Sequence, residues 1–389
     1  MMSYPKIEID LLKLQENAEA EVNYMQTRGV EVMAVNKVFN GDAETAAAVV
    51  RGGVKTVAES RVNNLKKIKA VYCQKALLRS PSPSETADAV RYADISLNSE
   101  PAILELLSRE AVKQGKIHSV LLMVDMGDIR EGLWFENIDE ITELTRLAMR
   151  LDNIEIYGLG TNFNCYGTAL PTEENNALFV SIAEEVEKRL DMRFGRLSGG
   201  NCTSCFLLDQ GGMPSRINHL RIGGLHQFGQ NYIDGRYMDI FHHSKKDPLL
   251  YLSDLYIYKA EMIEVNRKPT VPVGELGKDA FMNTKEFTDR GTRLRALLAF
   301  GRQDVSYENI SPTDDRIEIL GQTSDHTVID INGCAEDYKV GDVVSFEVDY
   351  TALMQICNGG AEREYLFKRE ADQGSSTRNP SVSKNRYSP

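Results

Sequence analysis

No apolar run in these 389 residues approaches the roughly 20 needed to cross a bilayer, so a helical membrane span is not expected. No basic block is long enough to track a phosphate backbone, and a net charge of −12 also argues against nucleic acid as a partner. The start of the chain, Met1-Met2-Ser3-Tyr4-Pro5-Lys6, lacks a signal-peptide core, and the six cysteines are too scattered for a disulfide framework. A cytoplasmic chain with reduced thiols is the expectation. Metal-ligand patterns are scarce as well. His242-His243 has no further His or Cys at ligand spacing nearby and reads as part of a solvated linker. Cys202-Thr203-Ser204-Cys205 has redox spacing, but it follows a Gly-Gly turn rather than a thioredoxin-like pattern. What remains is an ordinary globular composition, 42% hydrophobic and 26% charged, in a chain long enough for one large domain and a smaller one.

The informative pattern is alternation. Between residue 30 and about 226, eight short apolar runs read as strands: Val30–Val38, Val54–Ala58, Ala76–Leu78, Asp94–Leu97, His118–Val124, Ile154–Gly160, Arg196–Gly199 and Leu220–Leu225. Stretches of helical periodicity separate them, among them Ala43–Arg51, Pro101–Gln114, Ile138–Leu151 and Thr172–Leu190. Eight strand–helix units over roughly 200 residues predict an α/β fold, the (β/α)8 TIM barrel; a doubly wound open sheet would need fewer strands or a visible break. Pro5–Asp10 reads as a leading strand and Leu11–Thr27 as a helix before the barrel. Past residue 246, strands joined by Gly/Asn/Asp turns take over: Leu249–Val265, Arg293–Phe300, Ile317–Leu320, Thr327–Ile331 and Val343–Asp349. The expected organisation is a barrel domain over 11–245 and a mostly β C-terminal domain, barrel or sandwich, over 246–367. Residues 1–10 would add a strand to the second domain, and 368–389, poor in apolar residues, would be a disordered tail.

In such barrels the carboxyl ends of the strands carry the chemistry. Lys37 stands at the first of them, followed by Asn40-Gly41-Asp42 as turn and helix cap. A lysine amine there can form a Schiff base with an aldehyde cofactor; the plain alternative is a snorkelling strand-end lysine. The other strand ends are polar too: Glu59-Ser60-Arg61, Arg79-Ser80, Asn98-Ser99, Asp125 to Gly132, Thr161 to Asn164, and Ser198 to Ser204. Gly199-Gly200 and Gly223-Gly224 fall in loops seven and eight, where barrels place phosphate sites, with Asn201, Thr203 and Ser204 as donors at an expected helix start. Lysine, phosphate site and barrel together suggest pyridoxal 5′-phosphate. Arg221 would then face the pyridine nitrogen and, unable to give up its proton, keep that nitrogen unprotonated; a salt-bridged strand arginine is the alternative. Trp134 reads first as core and second as pocket wall, and Glu131 as the partner of a nearby arginine.

These pieces carry a resemblance. Ala34 to Val38, Val124 to Gly132, Gly160-Thr161-Asn162, Gly200-Asn201, Leu220 to Gly223, Gly301 to Asp304 and Gly321 to Asp325 jointly resemble the alanine racemase-like, fold-type III pyridoxal-phosphate enzymes, in their ornithine-racemase branch. The resemblance implies an amino-acid racemase dependent on pyridoxal phosphate, with ornithine as substrate and Lys37 moving the α-proton on one face. It implies cofactor contacts from Arg130 near the phenolic oxygen, Asn162 at the ring, Arg221 at the ring nitrogen, and Asn201, Thr203, Ser204, Gly223 and Gly224 at the phosphate. Asn162 stands where alanine racemases carry a histidine, which argues against a plain alanine racemase. Those enzymes take their second acid/base, a tyrosine, from the partner subunit, and Gly274 to Phe281 holds none. Asp279 and Asp325 are expected in that role, with Asp304, Ser324 and His326 as alternatives there or as holders of the substrate's side-chain amine. A head-to-tail homodimer with shared active sites is also implied. The rival readings are a racemase of lysine, alanine or a broad set of amino acids, a non-catalytic pyridoxal-phosphate homeostasis protein, and a decarboxylase. The homeostasis proteins are single barrels with no need of the β domain, and the decarboxylases carry a longer β domain with cysteine signatures absent here.

Overall fold

The computed structural model describes residues 3–228, 255–334 and 337–367. It divides into a unit built on residues 11–37 and 41–228 and a unit built on 3–10, 38–40 and 255–366. In chain order come β1 (Lys6–Asp10), α1 (Leu11–Gln26), β2 (Glu31–Val35), α2 (Ala43–Arg51), β3 (Thr56–Glu59), α3 (Val62–Lys67), β4 (Gln74–Leu77), α4 (Thr86–Tyr92) and β5 (Ile95–Asn98). Then follow α5 (Pro101–Gln114), β6 (His118–Asp125), β7 (Leu133–Trp134), α6 (Ile138–Arg150), β8 (Ile154–Gly160), α7 (Glu173–Leu190), β9 (Leu197–Ser198), α8 (Cys202–Asp209), β10 (His219–Ile222) and α9 (Gly224–Phe228).

Eight of these strands close on themselves. Parallel pairing runs β2-β3-β4-β5, continues from β5 to β6, and returns through β8, β9 and β10 to β2. This is the TIM barrel the alternation predicts. Its strands are short and buried on both faces, which is why they read as apolar runs rather than as alternating patterns. Met33, Ala58, Ala76, Ile95, Leu97, Leu121, Met123 and Tyr157 form one buried cluster. In it, alanines from β3 and β4 are set against long methionines and leucines; truncating Leu121 to alanine would cost roughly 2–5 kcal/mol. Local chemistry fixes the helix starts. Asp42 accepts from Thr45 N at 2.8 Å ahead of α2, and Thr172 and Asn175 cap α7 reciprocally.

Two strand ends fall three residues short of expectation. β2 stops at Val35 rather than Val38, because Lys37–Phe39 winds into a turn of 3-10 helix. β10 stops at Ile222, and the residues expected to extend it open α9 instead. Gly223 makes that break possible: a Cβ there would lie 3.0 Å from Val35 O.

The second unit adds β11 (Tyr256–Pro269), β12 (Thr292–Leu298), β13 (Ile310–Pro312), β14 (Glu318–Gln322), β15 (Thr327–Asp330), β16 (Val343–Val348), α10 (Tyr350–Asn358) and β17 (Glu362–Leu366). It is mostly β, as expected. Among the described residues its strands form one connected sheet in the order β13-β16-β11-β12-β15-β14, with β1 on β11 and β17 on β1, and no pairing closes it into a barrel. The long β11 explains this. Its first half pairs β1 and β16, its second half pairs β12, and a bulge lies between Met262 and Glu264. Tyr258, Phe300 and Phe346 meet edge-on or tilted beneath it, with Tyr258 and Phe300 5.2 Å apart. Asp349, expected as a strand end, instead caps α10 by accepting from Ala352 N at 2.8 Å. The described part of the expected Leu249–Val265 strand begins at β11; His242-His243 and the tail over 368–389 lie outside the described residues.

Candidate active site

Arg221 anchors the carboxyl-end mouth of the barrel. It sits on β10 opposite Met33 of β2 and is 4% exposed. Its Nη1 donates to Ser198 Oγ at 2.6 Å and its Nη2 to Thr161 O at 2.7 Å. Burial pulls its pKa down to about 10, so it remains cationic at neutral pH. Behind Ser198 lies His219, whose Nδ1 is 2.8 Å from Ser198 Oγ. Burial first, then the nearby Arg221 and Arg196, push His219 down to about 3. A neutral imidazole accepts the Ser198 hydroxyl proton at Nδ1, which leaves the Ser198 oxygen free to accept from Arg221. This Arg221–Ser198–His219 chain was not anticipated. Its one sequence signal is that His219 and Arg221 are two apart on a strand and so share a face.

The two Gly-Gly loops lie next to it. Asn201 caps α8: its Oδ1 accepts from Thr203 N at 2.9 Å and Thr203 Oγ1 at 2.7 Å, while its Nδ2 donates to Phe163 O at 2.7 Å. Ser204 is fully buried and donates to Gly199 O at 2.7 Å. Gly200 has φ +115, and a Cβ there would lie 2.6 Å from Ser204 Oγ, so only glycine fits. The amides of Gly223 and Gly224 both donate to Cys202 Sγ, at 3.3 and 3.2 Å. In the sequence Cys202 stands out only through its redox spacing with Cys205. Burial pushes both thiols up in pKa, which makes them poor nucleophiles. None of the six cysteines forms a disulfide.

The loop after β6 is tied down by its own carboxylates. Asp125 Oδ1 accepts from Gly127 N and Ile129 N at 2.9 and 3.1 Å. Buried Asp128 accepts from Cys165 N at 3.0 Å, and from Tyr166 N and Asn162 Nδ2 at 3.3 Å each. Asn162 Oδ1 in turn is 3.4 Å from Asn201 Nδ2. Asn162 thereby links the ends of β6, β8 and β9. Arg130 pairs with Glu131 and contacts Cys165 Sγ, so Glu131 does serve an arginine. Trp134 is not core: it is 38% exposed, with Nε1 donating to Glu136 at 3.2 Å, because β7 pairs only with the end of β6, outside the ring.

Lys37 is exposed, two residues beyond β2. Gln227 Nε2 donates to Val35 O at 2.8 Å, which brings α9 beside the strand that leads to the lysine. Lys37, Arg130, Asn162, Asn201, Thr203, Ser204, Arg221, Gly223 and Gly224 all belong to the barrel unit, and Asp279 and Asp325 to the second unit. Asp279 Oδ1 accepts from the amides of Asn283 and Phe281 at 2.9 Å each, which holds the carboxyl below its ordinary range. Asp325 Oδ1 lies 3.0 Å from His326 Nδ1 and 3.1 Å from Thr323 Oγ1; the imidazole chiefly holds it low as well. Asp304 Oδ2 accepts from Gly301 N at 2.9 Å and closes a local turn.

Residues 9–228 match the family model for the N-terminal domain of alanine racemase, more than half of the chain. The chain belongs to the alanine racemase family. Among members of that family, the ornithine racemase of Acetoanaerobium sticklandii is 37% identical over 365 residues, covering 94% of this chain and 99% of its own. The lysine racemase of Thermotoga maritima is 36% identical over 361 residues, covering 91% of this chain and 96% of its own. This alanine racemase family member is therefore a racemase. A crystal structure of alanine racemase from Bartonella henselae with covalently bound pyridoxal phosphate superposes with a TM-score of 0.68 at 16% identity, over 94% of this chain and 100% of that one. That likeness speaks for the shared fold. No described helix is long and apolar enough to cross a membrane.

Proposed function

We propose that this racemase interconverts L- and D-ornithine with pyridoxal 5′-phosphate as cofactor. The observation that carries the reading is the barrel mouth, where an exposed lysine, a glycine-amide cradle and a buried cationic arginine belong to neighbouring strands β2, β9 and β10. The residues fit the cofactor. Two amides that meet only a thiol, a poor acceptor, suit a phosphate, and Gly200 admits no Cβ.

When bound, pyridoxal phosphate acts as an electron sink that acidifies the α-carbon of an amino acid. Lys37 would hold the cofactor through its aldehyde carbon, and its free amine would serve as acid/base on one face of the α-carbon. Gly223 and Gly224, with Asn201, Thr203 and Ser204 shaping the adjoining turn, bind the phosphate. Arg130 and Asn162 complete the contacts to the ring. Arg221, fixed by Ser198 and Thr161, would face the ring nitrogen, and its persistent charge would keep that nitrogen unprotonated and moderate the sink.

Racemisation needs a second acid/base on the opposite face. Asp325 suits it better than Asp279, because Asp325 sits against the imidazole of His326, whereas Asp279 Oδ1 is taken up by two backbone amides. A second copy of the chain supplies that group in a head-to-tail homodimer. The apolar side chains of Val273, Leu276, Phe281, Met282 and Phe287, all exposed on the described chain, support self-association. Six cysteines without a disulfide fit a reducing cytoplasm. The substantial second unit speaks against a single-barrel cofactor carrier.

Lysine is the second reading for substrate, since the lysine racemase relative is nearly as similar as the ornithine one. Proton NMR in D₂O with added pyridoxal phosphate and L-ornithine, L-lysine or L-alanine tests the proposal. Loss of the α-proton signal of ornithine, with D-ornithine formed, is expected. Exchange of lysine alone would shift the assignment to the second reading, and no exchange with any of the three would overturn the proposal.

A further inference from the structure

Asp128, in the loop after β6, is 2% exposed, a rare state for a carboxylate. Three N–H groups of the loop after β8 take the place of a cation. Its Oδ1 accepts from Cys165 N at 3.0 Å, and its Oδ2 accepts from Tyr166 N and Asn162 Nδ2 at 3.3 Å each. Backbone strain surrounds this contact. Ile129 has φ +50 and Thr168 φ +54, left-handed values that a β-branched side chain resists. Gly167 N donates to Asp128 O at 2.8 Å, and a Cβ on Gly167 would lie 2.5 Å from that oxygen. Such backbone persists only where its surroundings hold it, and here the carboxylates of Asp125 and Asp128 do the holding.

The side-chain relay beyond Asp128 has one polarity. A carboxylate only accepts, so Asn162 must turn Nδ2 toward it and Oδ1 away. At the far end Thr203 N only donates, so Asn201 must turn Oδ1 toward it and Nδ2 back toward Asn162. The two requirements agree, since Asn201 Nδ2 lies 3.4 Å from Asn162 Oδ1. The amide of Asn162 is thus oriented from both ends. Asp128 also seats Cys165, whose Sγ meets Arg130 Nη1.

We infer that Asp128 is a positioning residue: it orients the Asn162 amide and, through Cys165, the Arg130 guanidinium, so that both reach the cofactor ring in one fixed arrangement. The inference rests on Asn162 and Arg130 contacting the cofactor, as proposed above; the pairing of Asp128 with Asn162 stands apart from that reading.

Asp128→Asn, Asn162→Asp and the double variant, compared with the wild type, form a cycle that isolates the pair. Asp128→Asn removes one of two acceptor oxygens and sets an NH2 group against the Asn162 side chain or the Cys165 amide. Asn162→Asp sets two carboxylates face to face. In the double variant donor and acceptor are exchanged, and Asn201 Nδ2 still finds an oxygen. The readouts are melting of the cofactor-free chain, affinity for pyridoxal phosphate from the visible absorption of the bound cofactor, and kcat and KM for racemisation. Alone, D128N should melt lower and bind the cofactor about tenfold more weakly, with kcat falling more than KM rises. Made on top of N162D, the same change should raise the melting temperature and tighten binding about tenfold. An equal effect in both backgrounds would overturn the inference, as would a D128N that matches the wild type. Reversal in melting with none in affinity would leave Asp128 a structural staple and overturn its role at the cofactor. Should N162D fail to fold, a double variant that also fails to fold would overturn the pairing, and one that folds would support it. Should the wild type take up no pyridoxal phosphate, the proposed function fails, and melting still decides the pairing of Asp128 with Asn162.

Discussion

Replacing His219 with glutamine should flatten the acid limb of barrel stability. In the folded chain His219 is fully buried, with Arg221 and Arg196 close enough to oppose a third positive charge, so its pKa falls to about 3. In the unfolded chain an imidazole takes its proton near pH 6.5. Below that pH the unfolded state therefore binds a proton that the folded state refuses. The contribution of His219 is fully present above pH 6.5 and is lost as the pH falls toward 3, at about 1.4 kcal/mol per pH unit. Between pH 6.5 and 5 the wild type loses about 2 kcal/mol from this group. Glutamine does not titrate, and its carbonyl can still accept from the Ser198 hydroxyl. The variant sacrifices the edge contact with Tyr157, whose ring centre is 5.6 Å away, so it starts less stable at pH 7.5 and regains about 2 kcal/mol relative to the wild type by pH 5. Native-state hydrogen exchange of the β10 amides measures this, because it reports opening of the barrel unit alone. His118, also buried and pushed down to about 4, contributes equally to both proteins and cancels. Parallel curves for the two proteins would refute the argument, since they would mean that His219 carries the same protonation folded and unfolded.

Three further outcomes are expected. Lys37→Ala should abolish the visible absorption of bound pyridoxal phosphate and racemisation together; persistence of the absorption would sink the assignment of that lysine. Gly200→Ala forces a side chain into a left-handed backbone 2.6 Å from Ser204 Oγ, a strain of about 1–3 kcal/mol, and titration with pyridoxal phosphate should show affinity weakened by roughly tenfold or more. Asp325→Asn should lower kcat for racemisation in both directions by about 10²-fold, the low end for a general acid/base, while Asp279→Asn changes it by less than threefold. The reverse ranking would move the second acid/base to Asp279.

The ring of strands was legible because parallel strands buried on both faces announce themselves as short apolar runs; β8 begins and ends at the residues the runs mark. Helix starts were legible where one side chain satisfies the first amides, as Asp42 and Thr172 do. What escaped depends on neighbours distant in sequence. β17 alternates Glu, Arg and Glu and looks like an exposed linker until β1 lies beside it, with Lys6 paired to Glu364. The chain from Arg221 through Ser198 to His219 joins two strands, and Cys202 acquires a role only once Gly223 and Gly224 are folded against it. Trp134 misled because tryptophan is usually interior, whereas here a two-residue strand holds it outside the ring.

The parallel pairing of Lys6–Asp10 with Glu362–Leu366 has a consequence for synthesis. β1 leaves the ribosome long before either neighbour, since β11 begins only at Tyr256. At typical elongation rates that wait lasts roughly 10–50 s. During it Ile7 and Ile9, buried in the finished sheet, are bare on an open strand, and the alternating charges of Lys6, Glu8 and Asp10 keep that strand in solution. The barrel strands all lie between residues 31 and 222, so the ring can close while the N-terminal strand is still waiting. A nascent chain released before Glu362 would hold a complete barrel and a first strand with one of its two neighbours missing.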